Sequence, residues 1–147
     1  MTGRGPDFYG LGVLRFSEWS PFVWVALGGA LGSVLRYWCY GVVYRVLPET
    51  FPWGTLAVNI IGSTFIGFFA VFTGTEGRLL VPPYVRLFVM PGMCGGFTTF
   101  STFSLETVNL ARGGEMTKAG MNAASSLLFC LVGAWIGAMI ASAVNKR

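Results

Sequence analysis

The most unusual segment of this chain is Gly92-Met-Cys-Gly-Gly-Phe-Thr-Thr-Phe-Ser-Thr-Phe-Ser-Leu-Glu106. It contains three glycines, five hydroxyl side chains, three phenylalanines and a carboxylate, although the residues around it are largely apolar. In a membrane span every backbone N–H and C=O must be paired internally, so irregular backbone persists only where it lines a cavity. The glycines and Pro91 predict that a helix breaks here near the bilayer midplane, as the discontinuous helices of transporters do. The alternative is a kinked helix whose hydroxyls bond the carbonyls one turn earlier.

The composition indicates an integral membrane protein. Of the 147 residues, 54% are hydrophobic and 11% are charged, whereas ordinary soluble domains carry about 25% charged residues. A soluble fold of this size could not bury so much apolar surface. The formal net charge of +4 comes mainly from residues that flank apolar segments, which indicates membrane topology and not nucleic-acid binding. There is no histidine, and Cys39, Cys94 and Cys130 are far apart, so we interpret them as packing residues.

Four membrane spans are predicted, and together they form one all-α transmembrane domain over residues 21–147. About 20 apolar residues cross a bilayer. The segments of that kind are 21–46, 54–73, 82–112 and 117–144. Residues 1–20 are interpreted as an N-terminal extension without the apolar core of a signal peptide. GxxxG spacings at Gly28 and Gly32, and at Gly133 and Gly137, predict helix-packing faces.

The loop charges bear on orientation and assembly. Six Lys or Arg residues fall on the side that holds the termini and the second loop, against three on the other side, and four against three without the extension. So small a difference lets a chain insert in both orientations. Because four helices alone make a thin bundle for an ion path, a homodimer is the economical assembly.

Polar side chains at helical spacing mark two of the spans. They are Thr55, Asn59 and Ser63 in the second span, and Asn122, Ser126 and Cys130 in the fourth. Members of each set are four residues apart and share one helix face. An Asn within a span is either a hydrogen-bonding link between helices or the lining of a site. Arg36, in the first span, either faces the protein interior or snorkels to the nearer interface.

Three segments resemble the signatures of the Fluc (CrcB-type) fluoride ion channel family. They are Gly28-Gly-Ala-Leu-Gly-Ser-Val-Leu-Arg-Tyr37, Trp53-Gly-Thr-Leu-Ala-Val-Asn-Ile-Ile-Gly62 and Gly95-Gly-Phe-Thr-Thr-Phe-Ser-Thr-Phe-Ser104. They occur in the family's order and spacing, and the likeness extends over about residues 23–144. A single glycine pattern is weak evidence, whereas GGxTTFSTFS together with GTLxVN is highly specific.

The resemblance implies a dual-topology homodimer with two antiparallel pores in the plasma (inner) membrane. It implies that fluoride leaves the cytoplasm by passive electrodiffusion, which lowers fluoride toxicity. A structural Na⁺ that is not transported would be bound by the main-chain carbonyls of Gly95 and Thr98 in both subunits. The residues implied for the fluoride path are Asn59, Phe100, Phe103, Ser101, Thr102, Glu106 and Ser126, with Arg36 and Thr55 in support. Fourth-span positions that often carry hydroxyls in the family are Ser126, Cys130 and Ala134 here.

The residue chemistry agrees with these expectations. A fluoride pore must replace a tightly held hydration shell, and Asn, Ser and Thr side chains can donate hydrogen bonds. The edges of Phe100 and Phe103 carry partial positive charge and lie on one helix face, although packing is the ordinary role of two phenylalanines. Where a helix unwinds, its carbonyls lose their partners and carry the negative end of a dipole, which suits a hard cation.

Three other classes of membrane protein are alternatives. A small four-helix, dual-topology multidrug exporter would need an acidic residue in its first span, and the segment between Pro21 and Leu47 has none. A membrane enzyme would need an acid–base pair, whereas this chain has no histidine and one intramembrane carboxylate, Glu106. We therefore expect no enzymatic activity. Composition alone leaves open an assembly subunit without a transport role.

Overall fold

The computed structural model describes residues 20–75 and 77–146, and within this part of the chain the only regular elements are helices. In chain order they are α1 (Ser20–Val43), α2 (Trp53–Phe72), α3 (Pro83–Leu87), a π-helix (Phe88–Cys94), α4 (Gly95–Phe97), α5 (Phe100–Arg112) and α6 (Met116–Asn145). Helices α1, α2 and α6 are long and apolar enough to cross a membrane. The predicted N-terminal extension lies outside the described residues, except for Ser20, which begins α1.

The ends of the predicted spans agree with the helices to within three residues. The first helix ends at Val43 and not at Val46, because the chain tightens there into turns with bonds between residues three apart, Arg45 N–H to the Val42 carbonyl at 3.3 Å and Val46 N–H to the Val43 carbonyl at 3.1 Å. The third loop is shorter than predicted and covers residues 113–115 only. Gly114 makes this tight connection possible with a φ of 82°, a conformation that favours glycine.

The third segment is interrupted as predicted, but at a different place. Gly95 has helical dihedrals (φ −62°, ψ −38°), whereas Thr98 (φ −81°, ψ 160°) and Thr99 (φ −152°, ψ 112°) are extended. The glycines therefore precede the break and do not form it. Before them, Pro91 lies inside the π-helix, where a wider turn accommodates a residue that has no N–H to donate.

The glycine faces provide close contact between helices, as their spacing predicted. A Cβ at Gly28 would collide with the carbonyl of Phe88, and one at Gly32 with the carbonyl of Met93. On the other side of the bundle, a Cβ at Gly137 would collide with the carbonyl of Thr64. Glycine thus brings α1 against the third segment and α6 against α2, where short interhelical distances favour packing and main-chain dipole contacts.

The second loop and the end of α6 lie together at one end of the bundle, also as predicted. The backbone N–H of Arg78 donates to Asn145 Oδ1 at 3.0 Å, and its guanidinium donates to the Val144 carbonyl at 3.3 Å. Arg86 on α3 donates to both the carbonyl and the hydroxyl of Thr73, each at 2.6 Å, where α2 ends. These bonds satisfy helix-end carbonyls that would otherwise lack partners.

Candidate ion site

The break is held open by the side chain of Asn59 on α2. Its Nδ2 donates to the Thr99 carbonyl at 3.0 Å, and its Oδ1 accepts from the Thr99 N–H at 2.7 Å. Thr99 is only 6% exposed, so an unpaired main chain at this residue would be costly. Asn59 therefore supplies the acceptor that the interrupted helix no longer provides for the Thr99 N–H, and it gives the Thr99 carbonyl, which as the N-cap of α5 also accepts the first bond of that helix, a second donor. It retains a second amide N–H for another acceptor.

The same arrangement frees two carbonyl groups. In a continuous helix the Thr99 N–H would bond the Gly95 carbonyl, but it donates to Asn59 instead. The Thr102 N–H would likewise bond the Thr98 carbonyl, but it donates to the Thr99 hydroxyl at 3.1 Å. Both carbonyls lose their intrahelical partners at the C-terminal end of α4, where the helix dipole is negative.

Hydroxyl groups cap the helix that follows the break. Thr99 is the N-cap of α5, and its Oγ1 also donates to Thr102 Oγ1 at 2.9 Å and lies 3.3 Å from Ser101 Oγ. The predicted polar residues Ser101 and Thr102 are therefore joined through Thr99. The alternative of back-bonding within a helix also occurs, since Ser104 donates to the Phe100 carbonyl at 2.8 Å. Back-bonding therefore explains some of the Ser and Thr residues in the segment 98–104 but does not explain the break.

A second polar chain links three helices. The Tyr40 hydroxyl lies 3.0 Å from Thr55 Oγ1, which donates to Glu106 Oε1 at 2.9 Å. Thr55 is fully buried, and Glu106 Oε2 is a buried oxygen without a hydrogen-bond partner in the described part of the chain. The predicted residues Thr55 and Glu106 are thus brought together, and Tyr40 joins them from α1.

The polar face of α6 contains buried groups whose bonding is incomplete. Asn122 is fully buried and donates from Nδ2 to Thr107 Oγ1 at 2.8 Å. Its Oδ1 and the Ser126 hydroxyl are buried without a partner among residues 20–75 and 77–146. Buried polar atoms of this kind are rare in native proteins and call for an explanation such as an ion or water.

A cavity of about 660 Å³ lies beside the break. The residues that line it are Asn59, Gly62, Ser63, Ile66, Met90, Pro91, Cys94, Gly95, Thr98, Phe100, Phe103, Ala123, Ser126, Leu127, Cys130 and Leu131. The rings of Phe100 and Phe103 have centroids 5.3 Å apart, and Phe100 is 79% exposed. The lining side chains are uncharged, and those of Asn, Ser and Thr can donate hydrogen bonds.

The predicted site residues fall into three groups. The cavity brings together Asn59, Gly95, Thr98, Phe100, Phe103 and Ser126. Ser101 and Thr102 lie in the cap of α5, and Thr55 and Glu106 form the second polar chain. Arg36 is half-buried on α1 and does not line the cavity as far as residues 20–75 and 77–146 define it.

Three residues of these networks were missed by sequence reasoning. They are Tyr40, Thr99 and Thr107. For Thr99 a signal was present, because a Thr that follows an apolar run and precedes a helical one is a typical N-cap. The other partners depend on which helices touch, which local sequence does not specify.

Comparison with known proteins identifies the family. The protein-family model described as CrcB-like protein, Camphor Resistance (CrcB), matches residues 23–138. The chain belongs to the CrcB family. The resemblance inferred from the three sequence segments is therefore confirmed.

Several CrcB relatives are similar over nearly their whole length. One from Methylocella silvestris is 51% identical over 125 residues, which is 85% of this chain and 95% of the relative. One from Opitutus terrae is 54% identical over 127 residues, covering 86% and 96%. One from Rhodospirillum rubrum is 49% identical over 125 residues, covering 85% and 97%. All three are named "Fluoride-specific ion channel FluC", and an ion channel is a transporter and not an enzyme.

Proposed function

We propose that this chain forms a fluoride-selective channel through which fluoride leaves the cytoplasm passively across the plasma (inner) membrane. The observation that carries the proposal is the helix break at Thr98 and Thr99, which lies beside an uncharged, largely apolar cavity that includes the hydrogen-bond donors of Asn59, Ser63 and Ser126. Neutral donors can replace water around an anion without binding it so tightly that it cannot leave. Relatives at about half identity that are named fluoride-specific channels support the choice of ion.

In this proposal the side chains around the break share the work of replacing water. The second N–H of Asn59 donates to fluoride while the first stays on the Thr99 carbonyl. The edges of Phe100 and Phe103 contact the anion with their partial positive charge. Ser101, Thr102, Ser126 and Glu106 form the polar track on either side, with Thr55 and Arg36 in supporting positions.

Liposomes that contain the purified protein test the ion selectivity. Fluoride-loaded vesicles should release their contents rapidly when a potassium ionophore supplies the counter-current, and chloride-loaded vesicles should not. Protein-free vesicles control for leakage of hydrogen fluoride through the lipid. Equal release of the two halides would refute fluoride selectivity, and proton-coupled uptake of an organic cation would favour the multidrug exporter.

We also propose that the functional unit is a homodimer of antiparallel subunits. Around the break the chain exposes Pro91, Gly95 and Phe100, and an exposed glycine lets the main chain of a second subunit approach closely in a membrane. A Cβ at Gly95 would have ordinary contact only, 4.0 Å from the Met90 carbonyl. We therefore attribute the glycine at this position to close approach of the partner subunit.

Topology can be measured with single cysteines introduced at the two ends of the chain in a background without the native thiols. In intact cells, a membrane-impermeant reagent should label part of the population at each end, because both orientations occur. Dual topology would be refuted if the reagent labelled either every chain or no chain, since all chains would then have the same orientation.

We propose that a structural Na⁺, which is not transported, stabilises the dimer. The residues fit a hard cation, because the Gly95 and Thr98 carbonyls have lost their helix partners and oxygen is the ligand such ions prefer. No cluster of three or more His, Cys, Asp or Glu side chains suited to a metal occurs within the described residues, so main-chain oxygens are the available ligands. The ion would neutralise the negative ends of the half-helices.

Removal of sodium tests this role. Replacing it with N-methyl-D-glucamine should shift purified protein from dimer to monomer, or stop fluoride flux, while the vesicles stay intact. Potassium at equal ionic strength controls for screening. Dimer stability and flux that are both unchanged after exhaustive removal would exclude the sodium site.

A further inference from the structure

Helix α5 carries Phe103, and within one chain packing holds this helix in place only weakly. None of its residues is buried, and Phe100, Leu105 and Val108 are each more than half exposed. The break separates α5 from α4, and two of the three residues in the loop to α6 are glycines, which constrain the chain least. The position of α5 along the bundle therefore depends on specific polar contacts.

The described residues contain one side-chain hydrogen bond between α5 and α6, and Asn122 makes it. Its Nδ2 donates to Thr107 Oγ1 at 2.8 Å, and Thr107 Oγ1 donates in turn to the Phe103 carbonyl at 2.7 Å. Because the single hydrogen of the Thr107 hydroxyl goes to Phe103, this hydroxyl must accept from Asn122. The orientation of the amide is thereby fixed, with Nδ2 toward Thr107 and Oδ1 away from it.

The burial of Asn122 indicates that it specifies an arrangement and adds little stability. The side chain is fully buried, and its Oδ1 has no partner within residues 20–75 and 77–146. The cost of an unpaired buried oxygen offsets what the bond to Thr107 contributes. In coiled coils a single buried asparagine behaves in this way and fixes the register of the helices at a cost in stability.

The register of the two helices decides which residues share a level of the cavity. A loop of three residues joins α5 to α6, so the helices run antiparallel. Phe103 precedes Thr107 by four residues and Ser126 follows Asn122 by four, so both lie one turn from the Asn122–Thr107 bond, in the same direction. Phe103 and Ser126 do line the same cavity. A slip of one helical turn would move them apart by about 5.4 Å.

We infer that Asn122 is a positioning residue for the fluoride path: through Thr107 it fixes α5 in register with α6 and holds Phe103 at the level of Ser126. Asn122 does not itself line the cavity as far as the described residues define it, so it acts through Phe103 and not on the ion. The effect on flux rests on the proposed function, whereas the effect on the ring does not.

A fluorine label tests the position of the ring without reference to flux. 4-Fluorophenylalanine incorporated at position 103 of the purified full-length protein should give one ¹⁹F resonance. Asn122→Leu and Thr107→Val should each shift or broaden it. Thr107→Ser, which keeps the hydroxyl, and Asn109→Leu, which changes an exposed asparagine on α5, should not. An unchanged resonance in both Asn122→Leu and Thr107→Val would overturn the inference.

Fluoride efflux from liposomes measures the consequence for the ion. Asn122→Leu should raise the fluoride concentration for half-maximal flux by about three- to tenfold, the size expected for loss of one aromatic contact. In a Phe103→Ile background the same change should have no further effect, because the ring that Asn122 positions is gone. An equal effect in both backgrounds would show that Asn122 acts independently of Phe103, which contradicts the inference.

Unfolding in denaturing detergent separates positioning from cohesion of the helices. Asn122→Leu should unfold at about the same detergent concentration as the native chain, since the unpaired oxygen is removed together with the bond. A much lower concentration would assign Asn122 to cohesion and overturn the inference. A native chain that carries no fluoride would refute the proposed function, while a shifted ¹⁹F resonance would still show that Asn122 positions Phe103.

Discussion

Replacing Asn59 on α2 with leucine should destabilise the break. Leucine has the same number and branching of side-chain heavy atoms but cannot bond the main chain, so the Thr99 N–H loses its acceptor at 2.7 Å and the Thr99 carbonyl loses its donor at 3.0 Å. The buried N–H is then unsatisfied, which costs about 1–3 kcal/mol, and the carbonyl keeps its bond within α5 but loses one hydrogen bond, worth about 0.5–1.5 kcal/mol, so the total is about 1.5–4.5 kcal/mol. That is a large part of the roughly 5–15 kcal/mol that separates native from unfolded states.

Asn59→Asp separates the two bonds. An aspartate keeps the acceptor for the Thr99 N–H but removes the donor to the Thr99 carbonyl, which retains its bond within α5, so the expected cost of the lost bond is about 0.5–1.5 kcal/mol. It also places a carboxylate on the wall of the cavity that Asn59 lines, where it would repel an anion. We expect fluoride flux to fall strongly in both variants, with the larger loss of stability in Asn59→Leu.

Unfolding by a denaturing detergent, followed by tryptophan fluorescence, would give the free energies, and liposome efflux would give the flux. Asn109→Leu is the matched control, because Asn109 is exposed on α5 and should change stability by less than about 0.5 kcal/mol. The reasoning fails if Asn59→Leu and Asn109→Leu unfold alike, since Asn59 would then not carry the main-chain bonds that define the break.

Three further changes probe the ring edges and the glycine contacts. Phe100→Ile and Phe103→Ile should each lower fluoride flux while leaving the dimer intact by size-exclusion chromatography, and full flux in both would assign the rings to packing. Gly137→Ala should lower the free energy of unfolding by about 1–3 kcal/mol through overpacking against α2, whereas Gly120→Ala, with open space around it, should not. Equal stabilities would mean that α2 and α6 can separate at little cost. Gly95→Ala should weaken dimerisation and spare the fold of the single chain, since its Cβ meets no close neighbour there. If the Gly95→Ala monomer unfolded more readily than the native monomer, Gly95 would also contribute to the fold of the single chain, which contradicts the prediction.

Local chemistry was enough to predict three long apolar helices and the glycine faces. Whether about 20 successive residues can cross a bilayer depends on their own transfer free energies, so the ends of α2 and α6 could be predicted within a residue. GxxxG spacing places small residues on one helix face regardless of the partner. The family motifs added the candidate residues, because a string such as GGxTTFSTFS occupies consecutive positions that need no knowledge of the fold.

Tertiary structure decided where the third segment breaks and why. Glycine and proline indicated an interruption near Gly92 to Gly96, but these residues stay helical because they pack against α1. The chain opens at Thr98 and Thr99, where Asn59, forty residues earlier, accepts from the Thr99 N–H in place of a helix carbonyl. The link from Tyr40 through Thr55 to Glu106 has the same origin. Hydrogen bonds between distant residues are favourable only once packing has brought the helices together, whereas helix length and periodicity depend on neighbours along the chain.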